Sequence, residues 1–470
     1  MRIIGNRGNT ARKVQAVASG ALASGDTVIV NANGTVSVVA ETAVAQSVGT
    51  AATFKTSTPA AIASVYDAGA NRVVIVYGDP NDSDKGKAIV GTVSGTDISF
   101  GSEVVFNAGS TGDKSVTYDS ASQKVVIAYK DGGNSNYGTA LVGTVSGTTI
   151  SFGSEVVFAS SITLAIETTF DSASNKVVIS YTNQSNSDYG TAIVGTVSGT
   201  SISFGTAVVF ESAQAFMKTI TFDSTANKVV ISYRDLGNSS YGTAIVGTVS
   251  STSISFGTPV VYNSARSDSN SSTFDSNSNK VVIAYRDDGN SDYGTAIVGT
   301  VSGTGISFGS EVVFESNGSD SLRTVFDASN NTVVIGYTTG SKGYVIAGTV
   351  SGTDISFATR LLFVNSGFNG WAIVYNSTEE KSVISYRNNA NNYGISIVYT
   401  GASSPTNLTA ENFIGIASNG YATGQAATIN AKGFIDDNQS SLTAGQSYFV
   451  QTNGDLGLTA ADPSVFAGTA

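Results

Sequence analysis

The chain contains no cysteine and no histidine among its 470 residues. Without cysteine there is no disulfide framework and no zinc–thiolate site. Without histidine, the most common general base and metal ligand is missing, so catalytic arrangements that depend on it are excluded. Because charged residues make up only 13% and hydrophobic residues 41%, the chain is too apolar to be intrinsically disordered.

Positive charge is also scarce, since 24 lysines and arginines face 35 aspartates and glutamates, and the net charge is −11. An acidic protein repels phosphate backbones, so we expect no nucleic-acid partner. No run of 18 apolar residues occurs, which predicts no membrane insertion. The first 20 residues, MRIIGNRGNTARKVQAVASG, lack the apolar segment of a secretory signal, which predicts synthesis in a cytoplasm without export by that route.

The residues that are abundant favour β-structure. Val, Ile, Phe and Tyr dominate the hydrophobic fraction, and they alternate with segments rich in Ser, Thr, Asn and the 52 glycines. Strand formers separated by short turn-forming segments are typical of an all-β fold with many hairpins.

A repeat organises most of the sequence. The motif KVVI-Y, with close variants, recurs at intervals of 52 residues and once of 49 (381 − 332). The seven copies begin at Arg72, Lys124, Lys176, Lys228, Lys280, Thr332 and Lys381. Sequence periods of this length indicate a solenoid, a propeller or a linear array.

Each repeat predicts four strands, as residues 168–210 illustrate: TTF, KVVISY, YGTAIVGTV and SISFGTAVVF. An Asp after each first strand, as at Asp171, can accept backbone N–H bonds and tighten the following turn. The second strand is a continuous apolar run, which is typical of a strand covered on both faces. Seven four-stranded sheets of this kind predict a seven-bladed β-propeller.

The seventh copy, residues 371–401, ends before its fourth strand. A segment that resembles this strand, SVGTAATF, stands alone at residues 47–54, ahead of the first full copy. We therefore predict that the early segment completes the last blade and closes the ring, which would remove an exposed sheet edge.

The flanks carry two similar hairpin sequences, at 23–39 and 443–459, each with an Asn-Gly turn. We predict one small β-domain assembled from residues 1–44 and 403–470, with the propeller at 45–402. The alternative is a pair of separate flexible tails.

Residues 412–470, which begin NFIGIASNG and end PSVFAGTA, resemble the C-terminal module of virion surface proteins of tailed bacteriophages of the marine type. The repeat text YGTAIVGTVSGTSISFGT is similar to repeats in tail-fibre-like proteins of such phages. The resemblance implies a virion component that is released by lysis, with the terminal domain attached to other virion proteins in an oligomeric particle.

The loop between the second and third strands is rich in Asp, Asn and Ser. The first copy, GDPNDSDKG, is the most acidic, and its oxygen ligands suggest a calcium site at Asp79, Asn81, Asp82 and Asp84. The alternative is that these residues build a turn, and no other cofactor is expected.

The connection from each fourth strand to the next first strand varies between copies, while the strands do not. Variable loops on a rigid scaffold are typical of a binding face. The candidate exposed residues for a ligand or partner are Phe216, Met217, Lys218, Arg266, Arg323, Phe368 and Trp371. The alternative is unconstrained drift, with the aromatic residues filling a central channel.

These observations favour a non-enzymatic structural component of a phage particle, as a tail fibre or adhesin in preference to a capsid or tail decoration protein. Its propeller would bind a host-surface glycan or protein. The alternatives are a free-standing propeller lectin and a polysaccharide-degrading enzyme, for which no pair of carboxylates is singled out.

Overall fold

The computed structural model describes residues 13–431 and 439–470. The all-β prediction is confirmed: the described residues form antiparallel strands, with five single-turn 3-10 helices between them. Among those residues, no helix has the length and hydrophobicity needed to cross a membrane. The chain divides into two compact units, one from Met1–Ala45 with Ala402–Ala470 and one from Gln46–Gly401.

The second and third strands of each repeat form a regular antiparallel hairpin in the larger unit. The second strands are Arg72–Asp79, Lys124–Asp131, Lys176–Asn183, Lys228–Asp235, Lys280–Asp287, Thr332–Thr339 and Lys381–Asn388. The third strands are Lys85–Ser94, Tyr137–Ser146, Tyr189–Ser198, Tyr241–Ser250, Tyr293–Ser302, Lys342–Ser351 and Gly394–Thr400. The 3-10 helices that join five of these pairs are Pro80–Asp82, Gly132–Asn134, Gln184–Asn186, Leu236–Asn238 and Asp288–Asn290.

The fourth strand begins with a short segment that pairs with the third strand. These segments are Asp97–Phe100, Thr149–Phe152, Ser201–Phe204, Ser253–Phe256, Gly305–Phe308 and Asp354–Phe357. The chain then continues along the third strand and leads into the next repeat.

The variable connections between repeats are strands in four places, which differs from the expected loops. A single 16-residue strand contains the end of one repeat and the first strand of the next, at Val104–Asp119, Val156–Asp171, Val208–Asp223 and Val260–Asp275. Elsewhere the two parts are separate, at Ala52–Lys55 and Ala60–Asp67, Val312–Glu315 and Asp320–Asp327, and Leu361–Val364 and Phe368–Asn376. The connections are held because they bond the preceding turn, as Thr111 N–H does to the carbonyl of Asp84 at 2.9 Å.

The early segment pairs with the seventh repeat, and this pairing is as predicted. Ser47–Val48 and Ala52–Lys55 both lie antiparallel to Gly394–Thr400, with Val48 opposite Tyr399 and Thr53 opposite Ile395. The seventh repeat therefore receives its fourth strand from a part of the chain more than 300 residues away in sequence (394 − 55 = 339).

The turns after the first strands follow from the aspartate that precedes them. Asp171 is buried, and its Oδ1 accepts hydrogen bonds from Ala173 N–H at 2.9 Å and Ser174 N–H at 3.0 Å. The turn ends on Asn175, which adopts φ +54°, a left-handed conformation that asparagine tolerates better than most residues. The same pattern recurs at Asp119, Asp223 and Asp275.

The hydrophobic cores lie between consecutive repeats. Alternate residues of a second strand face opposite neighbours: Val125 packs with the first repeat, whereas Val126 packs with the third. Each fully buried Val or Ile contributes about 1.5–3 kcal/mol relative to exposure. A further core of the same kind joins the seventh repeat to the first, through Val383 and Val398 against Ile75.

The smaller unit interleaves strands from both ends of the chain. Its five-stranded sheet has the order Lys13–Val17, Ala426–Ala431, Phe413–Ala417, Thr27–Val30 and Val36–Val38. Its three-stranded sheet has the order Leu456–Gly457, Ser447–Val450 and Val465–Thr469. Both predicted Asn-Gly hairpins are present, with Gly34 at φ +80° and Gly454 at φ +95°.

Candidate functional site

Two of the proposed binding residues are core residues, which corrects the expectation that they are exposed. Trp371 is 2% exposed and Phe368 is 6% exposed, and both pack on Phe363 and Tyr386 between the sixth and seventh repeats. The Trp371 indole N–H donates to the carbonyl of Ser321 at 2.9 Å. These aromatic side chains replace smaller residues of the other first strands and fill an interface between repeats.

Space for Trp371 comes from Gly336 in the second strand of the sixth repeat. A Cβ atom at that position would lie 2.3 Å from the Trp371 ring. Other repeats carry Ala128 or Ser180 at the same place, and their first strands carry smaller partners than tryptophan. The two departures from the repeat consensus therefore compensate each other.

The variable segment of the fourth repeat is only partly exposed. Met217 is 44% exposed and adopts φ +47°, whereas Phe216 is partly buried. Lys218 is 4% exposed, against expectation, because its side chain turns inward. Its Nζ donates to Thr182 Oγ1 at 2.5 Å and to the carbonyl of Ala215 at 3.2 Å.

Arg266 and Arg323 are both exposed, but they lie in different surroundings. Arg266 forms ion pairs with Asp268 at 2.7 Å and with Asp288 at 3.1 Å. Arg323 donates to the carbonyl of Leu322 at 2.8 Å. Its side chain is in contact with water, but many protein atoms surround its guanidinium group. Burial lowers the pKa of Arg323, and the charge of Glu167 opposes this effect.

The first strands enclose a small group of interacting charges. Burial raises the pKa of Glu167 to about 7, although Arg323 and Lys218 act in the opposite direction. Burial also lowers the pKa of Lys218 to about 7, opposed by Glu167 and Asp113. Both groups therefore titrate near neutral pH, in an enclosed region between the first strands of different repeats.

A broad cavity of ≈ 450 Å³ lies where the first strands of six repeats end. Each of these strands contributes the two residues before its turn Asp or Asn, and the second of the two is always aromatic. Those aromatic residues are Tyr66, Tyr118, Phe170, Phe222, Phe274 and Tyr375. Two of the tyrosine hydroxyls bond to turns of the preceding repeat: Tyr118 accepts from Gly69 N–H at 2.9 Å, and Tyr375 accepts from Ser329 N–H at 3.1 Å.

The calcium prediction at Asp79, Asn81, Asp82 and Asp84 is not supported, because lysines neutralise the carboxylates. Asp79 accepts from Lys55 Nζ at 2.7 Å and Lys87 Nζ at 2.8 Å, and Asp82 pairs with Lys85 at 2.8 Å. Asp79 also caps the following turn, since its Oδ1 accepts from Asn81 N–H at 3.1 Å, and the carbonyl of Asp84 accepts from Thr111 N–H at 2.9 Å. In residues 13–431 and 439–470, no group of three or more acidic residues has the geometry of a metal site.

A polar pocket beside the tyrosine of the repeated KVVI-Y motif, in the second strand, was not foreseen from the sequence. We call it the Tyr–acid pocket; it contains that tyrosine, a carboxylate that faces its hydroxyl, and residues of the third and fourth strands. The hydroxyl–carboxylate contacts are Tyr77–Glu103 at 2.8 Å, Tyr233–Glu211 at 2.9 Å, Tyr285–Glu311 at 2.6 Å and Tyr337–Glu315 at 3.1 Å.

The first repeat fills its Tyr–acid pocket with its own cations. Lys87 Nζ contacts Asp79 Oδ2 at 2.8 Å and Glu103 Oε1 at 3.0 Å. Lys55 Nζ contacts the same two carboxylates at 2.7 and 2.9 Å. Burial alone would raise the pKa of Asp79, but the hydrogen bonds from Lys55 and Lys87 outweigh burial and lower it.

The second repeat has the same carboxylates without the lysines. Asn107 replaces Lys55 and Thr139 replaces Lys87 in the pocket of Tyr129, Asp131 and Glu155. Asn107 Nδ2 donates to Glu155 Oε1 at 2.8 Å and to the Tyr129 hydroxyl at 3.2 Å. Burial raises the pKa of Asp131, and the charge of Glu155 adds to this effect.

A signal for the pockets of the first, second and fifth repeats is present in the sequence, whereas Glu211 and Glu315 of the other contacts lie at the position of Lys55. Only three copies of the fourth strand read FGSEVVF, which places glutamate at 103, 155 and 311. The neighbouring copies have Ala207 and Pro259 at that position. The contact between this glutamate and the strand-two tyrosine depends on the third strand that separates them in sequence, so the pattern alone does not bring them together.

Comparisons with known proteins give a likeness of fold. No protein-family model matches the chain, and no curated protein is similar to it in sequence. The BP39L lectin from Burkholderia pseudomallei is similar in structure with a TM-score of 0.53 and 10% sequence identity, over 75% of this chain and 99% of the lectin.

Two other solved structures have lower scores. The K499G mutant of NanB sialidase from Streptococcus pneumoniae has a TM-score of 0.43 at 9% identity, over 73% of this chain and 68% of the sialidase. The SapL1 lectin in complex with alpha methyl fucoside has a TM-score of 0.40 at 12% identity, over 66% of this chain and 97% of the lectin. The likeness to BP39L concerns the fold, and the two lower scores carry no argument.

Proposed function

We propose that residues 46–401 form a closed seven-bladed β-propeller that binds glycans without catalysis. Two observations support the ring. Every pair of consecutive repeats shares a hydrophobic core, and the seventh repeat shares one with the first. The Tyr66 hydroxyl of the first repeat also lies 2.5 Å from Thr378 Oγ1 of the seventh.

The recurrence of the Tyr–acid pocket at one end of the repeats carries the binding proposal. Each pocket offers a tyrosine hydroxyl and carboxylate oxygens, and sugars are recognised through such acceptors and donors. The side chains that line the pocket differ between repeats although the backbone register is the same. The third-strand residue opposite the tyrosine is Lys87 in the first repeat, Thr139 in the second and Tyr344 in the sixth. A rigid scaffold with varied polar sites is typical of a binding protein. The fold likeness to a lectin agrees with this proposal.

A glycan array with the full chain tests this function. We expect selective binding to a subset of glycans, and weaker binding by the variant Glu155→Gln/Glu311→Gln, in which two exposed pocket carboxylates become neutral amides. The matched control is Asp97→Asn, an exposed change at the opposite end of the third strand. Absence of binding to every glycan, with the protein folded, contradicts the proposal.

The non-catalytic part of the proposal has its own test. The two groups that titrate near neutral pH, Glu167 and Lys218, are enclosed among the first strands and lie outside the Tyr–acid pockets. We expect no reducing sugar to appear when the full chain is incubated with host-envelope polysaccharide. Release of reducing ends above a boiled-protein control contradicts this expectation.

A second candidate function is a place in a phage particle, favoured by the resemblance of residues 412–470 to virion modules. In this role the smaller unit attaches the protein to neighbouring virion proteins and the larger unit displays the glycan-binding pockets to a host. The protein would be made in the host cytoplasm and released by lysis. Mass spectrometry of purified virions tests this candidate, and detection only in the soluble lysate contradicts it.

A further inference from the structure

We propose that the Tyr–acid pockets of the second and fifth repeats each bind a primary ammonium group of a ligand, between Asp131 and Glu155 and between Asp287 and Glu311. This inference rests on the proposed function because it uses the same pockets. It adds the chemical class of the ligand, an amine-bearing saccharide, and it distinguishes two repeats from the others.

The first repeat shows that the paired carboxylates bind an ammonium group of the protein itself. Asp79 and Glu103 converge on one nitrogen atom, Lys87 Nζ, at 2.8 and 3.0 Å. They also converge on a second nitrogen, Lys55 Nζ. The spacing of the two carboxylates therefore suits an ammonium group, which donates three hydrogen bonds to surrounding oxygen atoms.

The second and fifth repeats keep the carboxylates and lose both cations. Asn107 and Asn263 stand where the first repeat has Lys55, and Thr139 and Thr295 stand where it has Lys87. Within the described parts of the chain, no lysine or arginine nitrogen lies within 4.0 Å of Asp131, Glu155, Asp287 or Glu311. In the second repeat, beyond the effect of burial, the charge of Glu155 raises the pKa of Asp131, so the two carboxylates repel each other and binding of a cation relieves this repulsion.

The register places the substituted residues in the same pocket. Lys87 lies opposite Tyr77 and Val105, and Thr139 lies opposite Tyr129 and Val157. Thr139 is 1% exposed, and its Oγ1 has no hydrogen-bond partner among the described residues. In the second repeat, a buried hydroxyl without a partner, at the position from which Lys87 reaches the carboxylates, points to an occupant that donates hydrogen bonds. In the fifth repeat the equivalent Thr295 Oγ1 donates to the carbonyl of Tyr293 at 3.4 Å, which leaves the hydroxyl oxygen free to accept.

The other side chains of the pocket use only part of the hydrogen-bonding capacity of the carboxylates. Asn263 Nδ2 donates to Asp287 Oδ1 at 3.1 Å, and the Tyr285 hydroxyl donates to Glu311 Oε1 at 2.6 Å. Each carboxylate retains further acceptor positions, because an ionised carboxylate offers about four. Glu155 and Glu311 are exposed at the pocket entrance, whereas Asp131 and Asp287 lie at its buried end.

Calorimetric titration of the full chain at low ionic strength tests this inference. The probe is fully deacetylated chitotetraose, and the matched neutral probe is the fully acetylated tetramer. We expect at least ten-fold tighter binding of the deacetylated form. Equal affinity for the two probes, or binding of neither, overturns the ammonium assignment but leaves the glycan-binding function in place, because only the glycan array decides that function.

Exchanging residues between repeats locates the site. Thr139→Lys/Thr295→Lys installs the lysine of the first repeat in both pockets, and we expect at least a ten-fold loss of affinity for the deacetylated probe with an unchanged or higher melting temperature. The reverse exchange, Lys55→Asn/Lys87→Thr, gives the first repeat the lining of the other two and should raise the number of sites from two to three. Unaltered binding in the folded lysine variant overturns the inference.

Further measurements distinguish recognition of the ammonium group from recognition of the sugar and from binding of a metal ion. Putrescine supplies ammonium groups without a sugar, and competition by putrescine against the deacetylated probe supports recognition of the ammonium group itself. The variant Glu155→Gln/Glu311→Gln keeps the shape of the pockets, and its affinity for the deacetylated probe should also fall at least ten-fold. If Ca²⁺ binds at these residues and Thr139→Lys removes it while the deacetylated probe does not compete, the pockets are metal sites and the inference is wrong.

Discussion

Removing the Phe54 side chain tests whether the early strand is an integral part of the seventh repeat. Phe54 is 6% exposed, and its ring lies 5.6 Å from that of Tyr77 and 5.9 Å from that of Phe100. It also covers Gly394, where a Cβ atom would lie 2.5 Å from the ring. Truncation of a buried phenylalanine to alanine costs about 3–5 kcal/mol, so we expect Phe54→Ala to lower the free energy of unfolding by that amount.

The equivalent residue of an uninterrupted repeat is the matched control. Phe158 is 7% exposed, contacts Tyr181 at 5.3 Å and Phe204 at 5.7 Å, and covers Gly138. Phe158→Ala should therefore cost the same as Phe54→Ala. Guanidinium unfolding followed by circular dichroism and by fluorescence of the sole tryptophan, Trp371, measures both changes. A cost below about 0.5 kcal/mol for Phe54→Ala, typical of a surface position, beside a full cost for Phe158→Ala would refute the pairing and the ring.

Two further predictions concern the interior. The pKa of Lys218 is about 7 in the folded protein and near 10.5 in the unfolded chain, so the unfolded chain binds more protons between these values and stability rises with pH across that window, by up to about 1.4 kcal/mol per pH unit. Burial also lowers the pKa of Lys114, to about 8, so Lys218→Met should reduce this rise without abolishing it, as unfolding free energies at pH 7 and pH 10 will show; an identical pH dependence in both proteins would rule out the effect. Gly336→Ser restores the residue of other repeats but collides with Trp371, so we expect a loss of about 1–3 kcal/mol. Trp371→Leu should rescue the serine variant in a thermal melt, and an additive loss in the double variant would argue against the compensation.

Local sequence patterns predicted the strands because each depends on neighbouring residues. The apolar run of Lys176–Asn183, the turn aspartate Asp171 and the Asn-Gly hairpins each act over a few residues. The copy number and the orphan segment at 47–54 also followed from comparison of the chain with itself. The variable connections were misjudged, since Val208–Asp223 continues as one strand although its middle lacks the strand pattern. Gln214 holds that segment, because it pairs with Tyr189 and its Nε2 donates to Asp188 Oδ2 of the preceding turn at 2.7 Å, and these contacts are not visible in the sequence of the segment itself.

The sequence by itself determined that this protein is an all-β repeat whose strands bury both faces, because a period of 52 residues and continuous apolar runs are properties of the chain. Only the tertiary structure decided which side chains are accessible and which carboxylates meet. Trp371 and Lys218 turn inward because the neighbouring repeat provides a partner for each. Asp131 and Glu155 share a pocket because the third strand brings residues 24 positions apart (155 − 131) onto one face. Contacts across a sheet depend on the strand register and on the adjacent repeat. The residues that make the contact do not by themselves reveal either of these.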